Sequence, residues 1–184
     1  MGRKEGLGIY SNNRKRTRDL NMAFYKTIEG DKVANLQSGN MYFYKYEPLT
    51  PVYTWYDKYP LVFITRKRGN SIEGINFHYL SIPYRHMLYD ALIPFFNNKE
   101  FTKDTRLNVK TIRMVLFQSA KYRFAKPAFH RYFQTGVRSQ IIKVEPKNWK
   151  SVLSEKVEEF FDKKGKKINE LVIHKDSYRK KNKK

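Results

Sequence analysis

Between residues 40 and 80 the chain is a series of short aromatic and β-branched runs, too brief and too punctuated for helices. Met41-Tyr42-Phe43-Tyr44-Lys45-Tyr46 comes first, and Pro48 and Pro51 interrupt it. Val52-Tyr53-Thr54-Trp55-Tyr56 resumes an extended pattern, and Leu61-Val62-Phe63-Ile64-Thr65 is an apolar run suited to a central strand. Lys67-Arg68-Gly69-Asn70-Ser71 has turn chemistry, because Gly and Asn tolerate positive φ, and 72–80 returns as the next strand. Strands this short bury their aromatics only by pairing. The segment therefore predicts a small antiparallel, aromatic-rich sheet that can curl into a half-barrel.

Three to four helices are expected after it. Pro83 opens a helix over 84–96, in which Met87, Leu88, Ala91, Leu92 and Phe95 recur at helical spacing. A second, capped by Asp104 or Thr105, runs over 105–122, and Pro127 starts a shorter one through 133, stopped near Gly136. Residues 137–144 read as a strand. Pro146 then opens a helix with one apolar face of Trp149, Val152, Leu153, Val157, Phe160 and Phe161. The fold class is α+β, with one core domain over 39–162, a basic N-terminal arm over 1–38 and a Lys-rich, flexible C-terminal tail over 163–184. A composition of 40% hydrophobic and 16% aromatic residues can fill such a core.

Charge is distributed unevenly around that core. The chain carries 38 Lys and Arg against 17 Asp and Glu, a net of +21. Residues 101–143 hold ten bases and one acid, and residues 163–184 hold ten and two. Single-sign fields of this kind serve steering or polyanion binding, whereas a surface built for solubility intersperses the signs. On the expected 105–122 helix, Arg106, Lys110, Arg113 and Lys121 fall within a stripe of about 80°, while Val109, Ile112, Val115 and Leu116 cluster elsewhere. Arg123, Lys126, Arg131 and Arg138 follow, and no acid occurs between Arg106 and Lys143. A merely solvated helix face would interleave Glu with Lys. These residues, with Lys163, Lys164, Lys166, Lys167, Arg179, Lys180 and Lys181 of the tail, are the candidate phosphate contacts. The run Asn13-Arg14-Lys15-Arg16-Thr17-Arg18 reads similarly. Aromatics beside the bases (Phe117, Tyr122, Phe124, Phe129, Tyr132 and Phe133) suit the core more than base stacking.

Enzyme chemistry finds little support. Cysteine is absent, which removes disulfides, thiol catalysis and Cys-based zinc sites. His78, His86, His130 and His174 lack metal-ligand spacing, and neither a nucleophile elbow nor a Gly-rich phosphate loop occurs. Glu145-Pro146-Lys147 has the Glu-x-Lys spacing of metal-dependent nucleases, but its proline sits awkwardly in a strand and no Pro-Asp precedes it. No cofactor or metal is called for. No apolar run is long enough to cross a membrane, and the N-terminus is polar where a signal peptide is apolar.

The central block also resembles a family. Asn40-Met41-Tyr42-Phe43-Tyr44-Lys45-Tyr46-Glu47-Pro48, Tyr56-Asp57-Lys58-Tyr59-Pro60-Leu61-Val62-Phe63 and Gly74-Ile75-Asn76-Phe77-His78-Tyr79-Leu80 carry the likeness. It continues through Tyr84-Arg85, Leu88-Tyr89-Asp90-Ala91-Leu92, His130-Arg131-Tyr132-Phe133, Val137-Arg138-Ser139, Glu145-Pro146 and Trp149. This is similar to a family of small virion proteins of contractile-tailed bacteriophages, often labelled DNA end protector. The resemblance implies a non-catalytic protein that binds the DNA phosphate backbone, shields packaged termini and neighbours other virion proteins. It implies a place in the virion, with host cytoplasm as the site of assembly, and no membrane partner. It transfers no catalytic residues: Tyr56, Asp57, Pro60, Asn76, His78 and Tyr79 match the pattern and suit structural roles. Lys58-Tyr59 and the Lys67-Arg68 turn depart from it toward more positive charge. Competing readings are a structural part of the phage neck, tail or baseplate, a metal-dependent head-completion nuclease using Glu145 and Lys147, and a ribosome-associated protein.

Overall fold

A computed structural model describes residues 25, 27–49, 56–96, 120–155, 166–169 and 172. Among the described residues six strands form one sheet: β1 (Asp31–Val33), β2 (Met41–Phe43), β3 (Leu61–Arg68), β4 (Ser71–Asn76), β5 (Phe129–Phe133) and β6 (Ile141–Val144). Their order is β1-β6-β2-β3-β4-β5, and every pairing is antiparallel. The described residues also include two α-helices, α1 (Ile82–Phe96) and α2 (Trp149–Leu153), and a long 3-10 helix (Ala120–Ala128), which make the fold α+β. Among the described residues no helix is long and apolar enough to cross a membrane.

The apolar run in β3 reflects burial on both faces of the sheet. Side chains alternate along a strand, so Met41, Phe43, Leu61, Phe63 and Ile75 face one way, against Leu88, Leu92, Trp149 and Val152. Tyr42, Tyr44, Val62, Ile64 and Ile72 face the other way, into a second core with Leu36, Tyr132 and Ile141. Helices cover the first core. The sheet's own curl closes the second. β2 and β5 lie three strand spacings apart, roughly 14 Å in a flat sheet. Yet the residues just beyond them meet, the Glu47 amide donating to the Gly136 carbonyl at 2.9 Å. The ring centroids of Tyr46 and Tyr132 stand 4.9 Å apart, edge to face, in the hollow so formed. The sheet is thus open but strongly bent around its tyrosines.

Several expected elements take other forms. The turn is as predicted, a two-residue hairpin with Gly69 at φ +52° between the paired Arg68 and Ser71. β4 ends at Asn76, whose side chain accepts the His78 amide and turns the chain into a 3-10 helix (Phe77–Tyr79) rather than extending the strand to 80. The helix expected over 127–133 is instead the end of the 3-10 helix followed by β5. Phe129 pairs with Ile75, Tyr132 with Ile72 and Arg131 with Glu73, and these cross-strand matches outweigh local helix spacing. The strand expected over 137–144 is regular only in β6, with Val137 bridging Tyr46 alone. Pro146 opens a 3-10 turn (Pro146–Asn148) before α2, and the Val157, Phe160 and Phe161 part of that expected helix lies outside the described residues. β1 draws in a segment that reads as arm in the sequence, and Leu36 is buried beside it.

Gly74 sits inside β4 where the sheet leaves no room for a side chain. A β-carbon there would meet Val62 Cγ1 and stand 2.8 Å from the Phe63 carbonyl oxygen, and the latter is backbone that cannot swing aside. Gly74→Ala is therefore expected to cost about 1–3 kcal/mol by overpacking. Thermal unfolding should show the midpoint falling by roughly 2–12 °C for a chain of this size.

Candidate nucleic-acid interface

The 3-10 helix Ala120–Ala128 carries three cations, Lys121, Arg123 and Lys126. With three residues per turn, Arg123 and Lys126 fall on one row and Lys121 shares the next with Phe124. Lys121, Arg123 and Lys126 are all exposed, while Ala125, Pro127 and Ala128 between them are buried. Small apolar residues thus seat the segment on the core and leave its long cationic side chains in solvent. The helix contains no acid. The Lys121 ammonium lies 5.5 Å from the centre of the Tyr122 ring.

Arg131 and Arg138 are placed differently. Arg131, on β5, donates to Glu73 Oε1 of β4 at 3.1 Å, and Arg138 donates to Glu47 Oε2 at 3.2 Å and to the Thr135 carbonyl at 2.9 Å. Both side chains remain about half exposed, so these are surface pairs of small net strength. Their acids are distant along the chain, Glu73 on β4 and Glu47 in the segment after β2, which is why the run without acids between Arg106 and Lys143 overstated the bare charge. Lys166 and Lys167 are exposed. Arg106, Lys110, Arg113, Lys163, Lys164, Arg179, Lys180 and Lys181 lie outside the described residues, as does the Asn13–Arg18 run.

The aromatics divide. Phe129 and Tyr132 are core, as expected, whereas Phe124 is half-buried and Phe133 exposed. Phe124 stacks on Tyr84 from the first turn of α1, with ring centres 4.4 Å apart and planes inclined 16°. Tyr84 reads in the sequence only as a helix start. Nothing local predicts its neighbour, because the contact joins elements forty residues apart along the chain.

Behind this surface lies a buried polar network built from the Tyr56 to Pro60 and Asn76 to Tyr79 motifs. Asp57 Oδ2 receives His78 Nδ1 at 3.0 Å and Asn76 Nδ2 at 3.0 Å, and Oδ1 receives the Tyr59 amide at 3.0 Å. Asn76 also donates to the Tyr132 hydroxyl at 2.9 Å, and the Asp57 amide donates to the Tyr79 hydroxyl at 3.2 Å. Burial works to raise the Asp57 pKa, but the adjoining His78 ring and the hydrogen bonds from His78, Asn76 and Tyr59 outweigh it and hold the carboxyl below its ordinary value. Burial likewise pushes the hydroxyls of Tyr44, Tyr79 and Tyr132 up, with the Asp57 charge adding to the shift. The Tyr44 hydroxyl and His78 Nε2 are buried without hydrogen-bond partners among the described residues. The network ties the β4 end to β5 and to the chain before β3.

Glu145 and Lys147 bond to each other at 2.7 Å on the surface. The hydrogen bond to Glu145 raises the Lys147 pKa. Among the described residues no three His, Asp or Glu side chains gather as metal ligands would.

A model of the protein family described as phage T4 terminal DNA protecting protein matches residues 4–177. No curated protein and no solved structure matches the chain.

Proposed function

The chain belongs to the phage T4 terminal DNA protecting protein family, and from that premise we propose that it is a non-catalytic virion protein that binds and shields the ends of packaged DNA. The observation that carries this reading is the exposed Lys121, Arg123 and Lys126 group on an acid-free helix, within a chain of net charge +21. Cations in that arrangement meet phosphate oxygens and release the counterions condensed on DNA, which drives binding without reading sequence. Arg131 and Arg138 join the contact by exchanging a carboxylate for a phosphate. Lys166, Lys167 and the basic residues of the two terminal segments extend it. The protein acts in the virion beside other virion proteins, and meets DNA in the host cytoplasm during assembly. Protection is a matter of occupancy: a bound end denies an exonuclease its substrate.

The test is exonuclease digestion of a linear duplex with open ends beside one of the same sequence with chemically blocked ends. The protein is expected to slow loss of the open duplex several-fold and leave the blocked one unchanged. Equal degradation with and without protein would remove the protective role. Cleavage by the purified protein with magnesium or manganese, abolished by Glu145→Ala, would replace it with the nuclease reading.

A further inference from the structure

The geometry points to the Tyr84–Phe124 stack as a platform for the terminal base of a DNA end, with Lys121, Arg123 and Lys126 holding the adjoining phosphates. The inference rests on the proposed DNA-binding role and adds to it a means of telling an end from the middle of a duplex. Tyr84 is 46% exposed in spite of its size, and Met87, one turn further along α1, is 38% exposed. The two rings lie nearly parallel at 4.4 Å, so one face of Phe124 is spent on Tyr84 while the pair still presents aromatic surface to solvent. Tyr122, half-buried against the core, lies beside the stack with its ring centre 6.3 Å from that of Phe124. Exposed aromatic surface on a segment that also bears Lys121, Arg123 and Lys126 matches a nucleic-acid base with its phosphates: the base supplies a π-face and the backbone supplies the negative charge.

The surroundings favour this occupant over an apolar protein surface. Every charged residue of the Ala120–Ala128 helix is basic. The one acid in the described part of α1, Asp90, lies about 120° around the helix from Tyr84, where it faces Lys150 at 3.9 Å. Within a continuous duplex each base is stacked on both sides and cannot reach the platform. At a terminus one π-face is open, so stacking there costs no unpairing.

The full-length protein should be titrated with a blunt linear duplex and with a covalently closed circle of the same sequence, at one salt concentration. Tyr84→Ala is expected to weaken binding to the linear duplex by about 5- to 150-fold, the range for one base–aromatic stack, and to leave the circle unaffected. Tyr84→Trp should keep the preference for the open end, since it keeps a π-face. Arg123→Gln should weaken both substrates alike. Unchanged affinity of Tyr84→Ala for the linear duplex, or a parallel loss on the circle, overturns the platform. Equal wild-type binding to both substrates overturns it too while sparing the phosphate contact. Failure of the wild type to bind either overturns both.

Discussion

Asp57→Ala is expected to remove about 3–5 kcal/mol of unfolding free energy, because it strands buried hydrogen-bond donors at about 1–3 kcal/mol each. The side chain is almost fully buried and accepts from His78, Asn76 and the Tyr59 amide. Its loss leaves an imidazole and an amide inside the protein with their hydrogen-bond partner gone, and water cannot reach them cheaply. The expected fall in melting temperature is roughly 6–20 °C. Asp57→Asn should cost less, because one oxygen still accepts. Urea unfolding of the three proteins measures this directly, and a loss below about 1 kcal/mol for Asp57→Ala would show that the network contributes little.

The same carboxylate gives the pH dependence a definite sign. Its pKa in the folded protein lies below the ordinary value of about 3.9 that it regains on unfolding. The unfolded state therefore binds the proton more readily, and stability rises with pH across the interval between the two values. The contribution is complete above the unfolded pKa and disappears as pH falls through the folded one. The stability difference between wild type and Asp57→Asn should shrink as pH falls below about 4. A difference that grew on acidification would contradict the lowered pKa.

Much of the sheet was legible because its signals are local. The Leu61–Arg68 strand begins in an uninterrupted apolar run, and the Gly69-Asn70 turn needs only one residue at positive φ. The helix after Pro83 was equally plain, although Met87 points to solvent while Leu88 and Leu92 are buried. β5 was not legible. Phe129, Tyr132 and Phe133 are spaced like a helix face, yet as a strand Phe129 enters one core and Tyr132 the other. A sheet buried on both sides erases the alternation by which strands are recognised. β1 was hidden for a different reason: Asp31-Lys32-Val33 has no apolar pattern, and its place follows from pairing with β6 over a hundred residues later. The candidate site divides in the same way. Its cations could be counted in the sequence, but Glu73 beside Arg131 and Glu47 beside Arg138 could not, since only strand pairing and the curl of the sheet bring them together.

That distinction decides the last expected result. Between 50 and 200 mM salt the full chain should lose about 10³–10⁵ in DNA affinity, as proteins meeting roughly six to ten phosphates do. The slope of log K against log salt can then be divided among residues. Each cation that truly neutralises a phosphate adds about −0.9 to it. Replacing Lys121, Arg123 and Lys126 together by Gln should make the slope shallower by about 2.7 and weaken binding most at low salt. Replacing Arg131 and Arg138 together should change it by less than about 1.8, because each arginine already has a carboxylate at hydrogen-bond distance and gains less from a phosphate. Fluorescence anisotropy on one duplex across a salt series measures all three slopes. Equal effects per residue in the two variants would mean that the ion pairs to Glu73 and Glu47 yield freely to DNA. An unchanged slope in the triple variant would move the phosphate contact off the Ala120–Ala128 helix altogether, and the terminal-base platform beside it would lose its anchoring charges.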